Sequence, residues 1–417
     1  MYRLAAGLTR VTAIGLCLAA PVHAAPAFSG QLCAEALAVR AADAGPLAAA
    51  AALDGDRSDL PRSRQALQGE WRLAGQGLSA VATLRQQRPD GGGASKAWFN
   101  ELQASGGSDA WQFSAGRKIV GWDVGYAWRP NDVVQQEVRR TLLSTTPEGR
   151  PLLMAEHYTA DVAWSAVWVN PGASRQRRGG SEPALALRAY RQAGAVDWHG
   201  FARWGVRTRG SLGAAAAWVA SDALELHASA RWVDDTDVLA PAAGSDAAAG
   251  TLLTRSPWQP AQARRAGQWL VGGTWTHASQ LSLLAEAWWD GTAPSPNQWR
   301  KWRGRNLALA SLAGTPAPMA AVAGNLRWQA DAFGASGNLQ RANLYARASW
   351  TRDAWQPELD VLLHPSDRGA LWTAALGWQG DRWRLDTGWR QAAGPARSVL
   401  MQLPTRRTAW LAATWAF

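Results

Sequence analysis

The chain has 417 residues, a formal net charge of +11 and a mean hydropathy of −0.23, and beyond its first two dozen positions it holds no apolar run long enough to cross a bilayer as a helix. Its only cysteines are Cys17 and Cys33, which excludes a disulfide scaffold and a cysteine-rich metal site. Its cations are almost all arginine (the lysines are Lys96, Lys118 and Lys301), and their scatter along the chain argues against a nucleic-acid surface.

The N-terminus reads as a secretory signal. Arg3 and Arg10 give a positive front, residues 11–20 are apolar, Pro21 breaks the run, and Val22-His23-Ala24 predicts cleavage after Ala24. Leu16 stands where a lipoprotein signal at Cys17 would need a small residue. Loss of Arg3 and Arg10 takes the formal charge from +11 to +9 and leaves Cys33 as the sole cysteine. Residues 25–66 are rich in Ala and contain no Trp; their pattern predicts helices over 34–42 and 46–53, then a linker over 54–64. They are expected to be a short helical or flexible N-terminal segment, either a periplasmic lead-in or an element tucked under or inside the rest of the fold. Faces made only of Ala bury little area, which favours the lead-in.

From Leu67 onward the pattern changes to period two. Leu224, Leu226, Ala228, Ala230 and Trp232 share one face, against Glu225, His227, Ser229 and Arg231. The same alternation sets Ala342, Leu344, Ala346, Ala348 and Trp350 against Asn343, Tyr345, Arg347 and Ser349. It sets Trp355, Leu359, Val361 and Leu363 against Gln356, Glu358 and Asp360, and Trp383, Leu385 and Trp389 against Arg384, Asp386 and Arg390. The last segment aligns Ala409, Leu411, Ala413, Trp415 and Phe417. Each run has the length of roughly 9–11 residues that crosses hydrocarbon as a tilted strand. The chain's 27 Trp, none before Trp71, recur near the ends of these apolar faces, where an amphipathic ring suits a membrane–water interface.

Strands in lipid are viable only in a closed sheet. The expected fold is therefore all-β: a closed antiparallel transmembrane β-barrel over 67–417, in the outer membrane of a Gram-negative cell. At roughly 20–24 residues per strand and connection it holds about 16 strands, within a range of 14–18. Tight turns are predicted at Arg352-Asp353 and Gly380-Asp381, and long connections at 89–96, 171–182, 234–268 and 290–325, the last two being candidates to fold inward.

Two stretches carry a resemblance. Residues 408–417, alternating and closing on Trp415 and Phe417, are similar to the assembly signal that the barrel-insertion machinery reads in outer-membrane barrels. Gly116-Arg117-Lys118-Ile119-Val120-Gly121-Trp122-Asp123, followed by Arg129-Pro130-Asn131-Asp132, resembles a strand-and-loop segment of porin-like and alginate-export-like barrels, with Lys118 in place of the usual Gln and Asp123 in place of Gly. The resemblance implies passage of a small solute or a polysaccharide. Read physically, Pro130 keeps Arg129 extended and Asn131 and Asp132 suit a turn, so the stretch is a strand ending in a shaped loop, with a constriction role as a further hypothesis.

If the Trp-bearing faces meet lipid, the opposite faces line a lumen containing Glu225, His227, Arg231, Glu286, Arg347, Glu358, Asp360, Arg384, Asp386 and Arg390. For Glu286, the adjacent Trp288 and Trp289 put a Trp on each face of the strand. Mixed charges in a pore form a selectivity filter; in a filled barrel they brace the interior. The basic balance suits an anionic permeant. No nucleotide loop or metal-ligand cluster is present, so no cofactor and no metal are expected. His227 and Ser229 share a face without a third orienting group, so an enzyme acting on lipid is the weaker alternative, alongside a non-conducting structural or adhesive barrel.

Overall fold

The computed structural model describes residues 26–89, 93–135, 140–143, 146–177, 179–241, 258–334 and 337–417. The expected signal peptide lies outside the described residues. The strands are β1 Ala27–Ala41, β2 Arg64–Gly75, β3 Leu78–Pro89, β4 Ala94–Gly107, β5 Trp111–Lys118, β6 Arg150–Tyr158, β7 Val162–Val169, β8 Ala184–Ala193, β9 Val196–Gly205, β10 Arg209–Ser221, β11 Leu224–Pro241, β12 Trp258–Thr276, β13 Leu281–Asp290, β14 Ala342–Trp350, β15 Trp355–His364, β16 Gly369–Gln379, β17 Trp383–Ala393 and β18 Thr405–Ala416. Each pairs antiparallel with its neighbours in sequence, and β18 pairs back onto β1, so the 18-stranded sheet closes on itself. The count is even and stands at the top of the expected range.

The N-terminal expectation needs correction. Residues 27–41 form a wall strand, not a helix over 34–42, and the barrel begins at Ala27 instead of Leu67. Glu35 and Leu37 are buried on the inner face, while Ala34, Ala36 and Ala38 alternate with them on the outer face. Ala on one face reads as helix by intrinsic propensity. The ladder overrides it: without β1, the facing edges of β2 and β18 would leave unpaired backbone groups in lipid. The second expected helix is present, as α1 over Pro46–Asp54 in the β1–β2 connection.

Connections follow a strict asymmetry. Those from even to odd strands are tight, as at Gln76-Gly77, where both residues have positive φ (53° and 75°) as a type I′ hairpin requires. Those from odd to even strands include all the long ones, which places that end outside the cell. Two of these differ from expectation. Residues 234–268 chiefly lengthen β11 and β12 beyond the rim (242–257 lie outside the described residues). Residues 290–325 fold into helices α2 (Pro296–Ala310) and α3 (from Met319 to Gln329), α2 starting on a Ser295–Gln298 capping box. Leu309, Val322, Ala323 and Leu326 pack on Ala50 of α1, and Trp299 and Trp302 on Val399 of the β17–β18 connection. These helices thus join other outer connections. Among the described residues no helix is long and apolar enough to cross a membrane.

The outer wall carries a continuous apolar band that includes Leu67, Leu84, Leu102, Leu153, Leu187, Leu212, Val271, Leu344, Leu385 and Leu411, all exposed. Trp164, Trp198, Trp218, Trp275, Trp350, Trp355 and Trp383 ring its tight-turn end; Trp168, Trp204, Trp232, Trp269, Trp289, Trp372 and Trp389 ring the other. An exposed apolar surface of this extent does not persist in water, and two aromatic belts mark its limits as bilayer interfaces. Phe417 closes the lower belt: its backbone exchanges two hydrogen bonds of 2.9 Å with Gly30, and its ring lies 5.0 Å from that of Trp415.

Candidate constriction inside the barrel

The segment that folds inward belongs to the β5–β6 connection, residues 119–149, of which 119–135, 140–143 and 146–149 are described. It starts where Gly116 (φ 126°) bends the end of β5 against the Leu102 carbonyl. Arg117 holds the base of the connection by donating to Glu148 and to the Gly149 carbonyl, both at 2.8 Å. Val120, Trp122, Val133 and Val134 then pack on Leu152, Met154, Val167, Val169, Phe201 and Ala215 of the inner wall. Further on, Ala127 and Trp128 pack on Leu270, Leu284, Trp288, Tyr345 and Leu362, with the Trp128 and Trp288 rings 6.2 Å apart.

Polar anchors fix the register of this docking. Glu286 accepts from the backbone N–H groups of Tyr126 (2.6 Å) and Ala127 (2.7 Å). The same carboxylate meets His227 Nε2 at 2.9 Å, while His227 Nδ1 meets Glu225 at 3.1 Å. Asp123 accepts from Ser229 Oγ (2.7 Å) and from the Asn131 N–H (2.6 Å). The Asn131 amide donates to Ser229 Oγ and to the Ala230 carbonyl, at 2.9 and 3.0 Å. Arg231 donates to the Pro130 carbonyl (2.9 Å) and to Ser211 Oγ (3.0 Å). Within the segment, Asp132 caps the N–H groups of Trp122 and Asp123. Burial pushes the Asp132 carboxyl up to about 6 and raises Asp123 as well, because desolvation outweighs the hydrogen bonds made to their ionised forms.

Two glycines on the wall make the close approach possible. A Cβ at Gly213 would overlap the Asn131 amide, and one at Gly272 would lie 2.6 Å from both Glu286 Cγ and His227 Nε2. Beyond the anchors the segment crosses to other walls. Arg390 donates to the Arg140 carbonyl (3.1 Å), and the Arg140 guanidinium lies over the Trp288 ring. On the return, Asn100 donates to the Thr146 carbonyl (2.7 Å) and Arg72 to Thr146 Oγ1 (3.1 Å).

The residues read as luminal therefore divide. Glu225, His227, Arg231 and Glu286 all face inward, but three of them bond the segment or its anchor directly, and the His227 and Glu286 side chains are 0 % exposed. His227 and Ser229 are held by different partners, the first by two carboxylates and the second by Asp123 and Asn131. Arg347 pairs with Glu358, Arg384 pairs with Asp386 at 2.9 Å, and these four keep solvent access. Asp360 stands opposite Arg347 in the ladder, and Arg390 donates to Thr373 at 2.9 Å. In the family-like stretch, Trp122, Pro130, Asn131 and Asp132 all lie in the docked segment. Asp123, Tyr126, Gly213, Gly272, Arg140 and Thr146 were not singled out as site residues by sequence. Asp123 alone carried a signal, a charge standing where a family-like Gly was expected.

No family model matches the chain, and no curated protein matches it. Among solved structures it is similar to a triple mutant of Rhodopseudomonas blastica porin, at 11% identity and a TM-score of 0.43 over 94% of this chain and 100% of that chain. A structure titled for the asymmetric conductivity of engineered proteins is similar at 10% identity, with the same TM-score of 0.43 over 94% of this chain and 100% of that one. The class is defined by the molecule's own surfaces: a closed, lipid-facing β-barrel, an architecture that belongs to the outer membrane.

Proposed function

We propose that the protein is an outer-membrane channel for small solutes, with residues 119–149 as its constriction. The observation that carries this reading is the asymmetric filling of the lumen. The densest polar anchoring of the segment lies on β10–β13, while Arg347 and Arg384 elsewhere on the inner face remain 40% and 46% exposed. A chain segment that crosses between walls leaves narrow lanes, which favours small solutes over a polysaccharide. Around the outer entrance, Lys96, Arg117, Lys118 and Arg150 outnumber Glu101 and Glu148, which supports a preference for anions.

Reconstitution in planar bilayers tests both parts. Stepwise conductance, with a reversal potential displaced toward the anion's equilibrium potential in a KCl gradient, is the expected result. A folded barrel that is electrically silent would overturn the channel reading, and a cation-selective current would overturn the preference.

A further inference from the structure

One pair of charges on the lipid-facing wall serves neither the lumen nor the fold. Arg40 of β1 and Arg407 of β18 stand directly opposite each other in the ladder. Both point outward: they share the parity of Ala38 and Ala409, whereas Thr408 between them is buried on the inner side. Like charges directly opposite on a sheet destabilise it. Arg40 has an acidic neighbour, Asp43 at 3.3 Å, with both side chains more than half exposed. Arg407 makes no ion pair among the described residues, so two cations and one anion leave an excess positive charge.

The two guanidiniums flank a cleft of about 360 Å³ on the outer wall, lined also by Ala38, Ser63, Trp389 and Ala409. Its height in the membrane is set by register. Trp389 opposes Ala409, while Arg407 lies two residues further from the membrane centre, opposite Gln391. Trp389 belongs to the aromatic belt at the long-connection end, so the arginines sit immediately beyond that belt, where lipid headgroups meet water.

We propose that this cleft binds the phosphate of an anionic lipid headgroup in the outer leaflet. Arg40 and Arg407 each donate to phosphate oxygens, and the Trp389 ring packs against the lipid just below. A planar guanidinium fork matches phosphate geometry, and a bound dianion removes the repulsion that the register otherwise builds in.

The test uses the full-length barrel in a neutral detergent, with lipid A bisphosphate as the probe and native mass spectrometry as the readout. Wild type is expected to retain lipid A, and Arg407→Gln to bind it about ten-fold more weakly, the loss expected for one charge-assisted contact. Arg88→Gln is the control, since Arg88 is an exposed arginine on β3 away from the cleft. Equal weakening by Arg88→Gln would reduce the effect to general surface charge and overturn the site. Equal binding of dephosphorylated lipid A would overturn phosphate recognition. Displacement of lipid A by inorganic phosphate at matched concentration would overturn the lipid as the ligand's source. Heat-modifiable gel migration establishes that each variant is folded, and a variant that fails to fold is replaced by Arg40→Gln with the same readout.

Discussion

The two sides of the inner wall are built from similar residues and treat them in opposite ways. On β10–β13, Glu286 and His227 are wholly buried beneath the docked segment, and Gly213 and Gly272 provide the room. On β14–β17, Arg347 and Arg384 keep 40% and 46% of their side-chain surface in solvent, each beside a carboxylate. Facing inward is a property of strand parity. Being available to a permeant is a property of what the β5–β6 connection covers. Charge on β10–β13 holds the segment in place, as Arg390 of β17 also does through the Arg140 carbonyl; the solvated Arg347 and Arg384 can act on a passing solute.

The largest expected effect separates the sides most sharply. Glu286→Ala removes the acceptor of two backbone N–H groups and one of the two carboxylates around His227. Breaking a buried charged network of this kind costs about 3–5 kcal/mol, enough to release the segment while the strand ladder persists. Single-channel conductance should rise and the segment should become sensitive to protease. Glu358→Ala, on the solvent-accessible side, should cost no more than about 1 kcal/mol and leave the segment protected. Equal effects of the two variants would erase the distinction between the walls.

A second probe acts without touching charge. Gly213→Val drives a side chain into the space of the Asn131 amide, an overpacking expected to cost about 1–3 kcal/mol. Gly200→Ala, whose new carbon would meet only Ala189 Cβ at 3.9 Å, should be close to neutral. Hydrogen exchange at the Tyr126, Ala127 and Asn131 amides, which Glu286 and Asp123 hold in the docked segment, reads the difference. A neutral Gly213→Val would mean that the close approach at this glycine does not support docking.

Much of this comparison was legible in the sequence, and the part that was not has a physical cause. Period-two alternation assigned Glu225, His227, Arg231, Arg347 and Arg384 to the inner face because strand side chains can only alternate. It contained nothing about coverage, which depends on contacts such as Ala127 to Glu286 between residues far apart in the chain. Length is a poor guide to an inward loop. Residues 234–268 and 290–325 are long, yet they extend strands or build helices, whereas residues 119–149 dock because buried acceptors and glycines on the wall receive them. Strand β1 escapes the alternation pattern because its outer face is Ala34, Ala36 and Ala38, whose intrinsic preference is helical and whose contrast with the inner face is weak.

Docking should also respond to pH, more weakly. The Asp132 carboxyl is raised by burial to about 6 from an ordinary 3.8, so the docked segment binds more protons than a released one between those values. Docking stability from this group is therefore fully present below pH 3.8 and is lost as pH rises through 6. Lowering pH from 7 to 5 should favour the docked state by about 1 kcal/mol, since a tenfold change in proton affinity corresponds to about 1.4 kcal/mol. Asp123, also raised by burial, adds in the same direction. Open-channel noise should fall on acidification, and Asp132→Asn should flatten that dependence. Noise that grows on acidification would contradict the sign.

The smallest expected effect falls on the accessible wall and concerns selectivity. Arg347 and Arg384 are each paired with a carboxylate, so the local field is a pair of dipoles with little net charge. Replacing both arginines with Glu turns each dipole into two like charges while leaving the segment's anchors untouched. Because the groups are partly solvated, screening limits the stability cost to about 1 kcal/mol or less. The permeability ratio should move toward cations by a few-fold, and the shift should shrink as salt rises beyond the range where the Debye length is about 10 Å. The same exchange made at Arg231, which bonds the Pro130 carbonyl, should instead disturb docking. If reversal at Arg347 and Arg384 leaves selectivity unchanged while reversal at Arg231 alters it, the permeant runs along the anchored wall, and the roles assigned to the two sides must be exchanged.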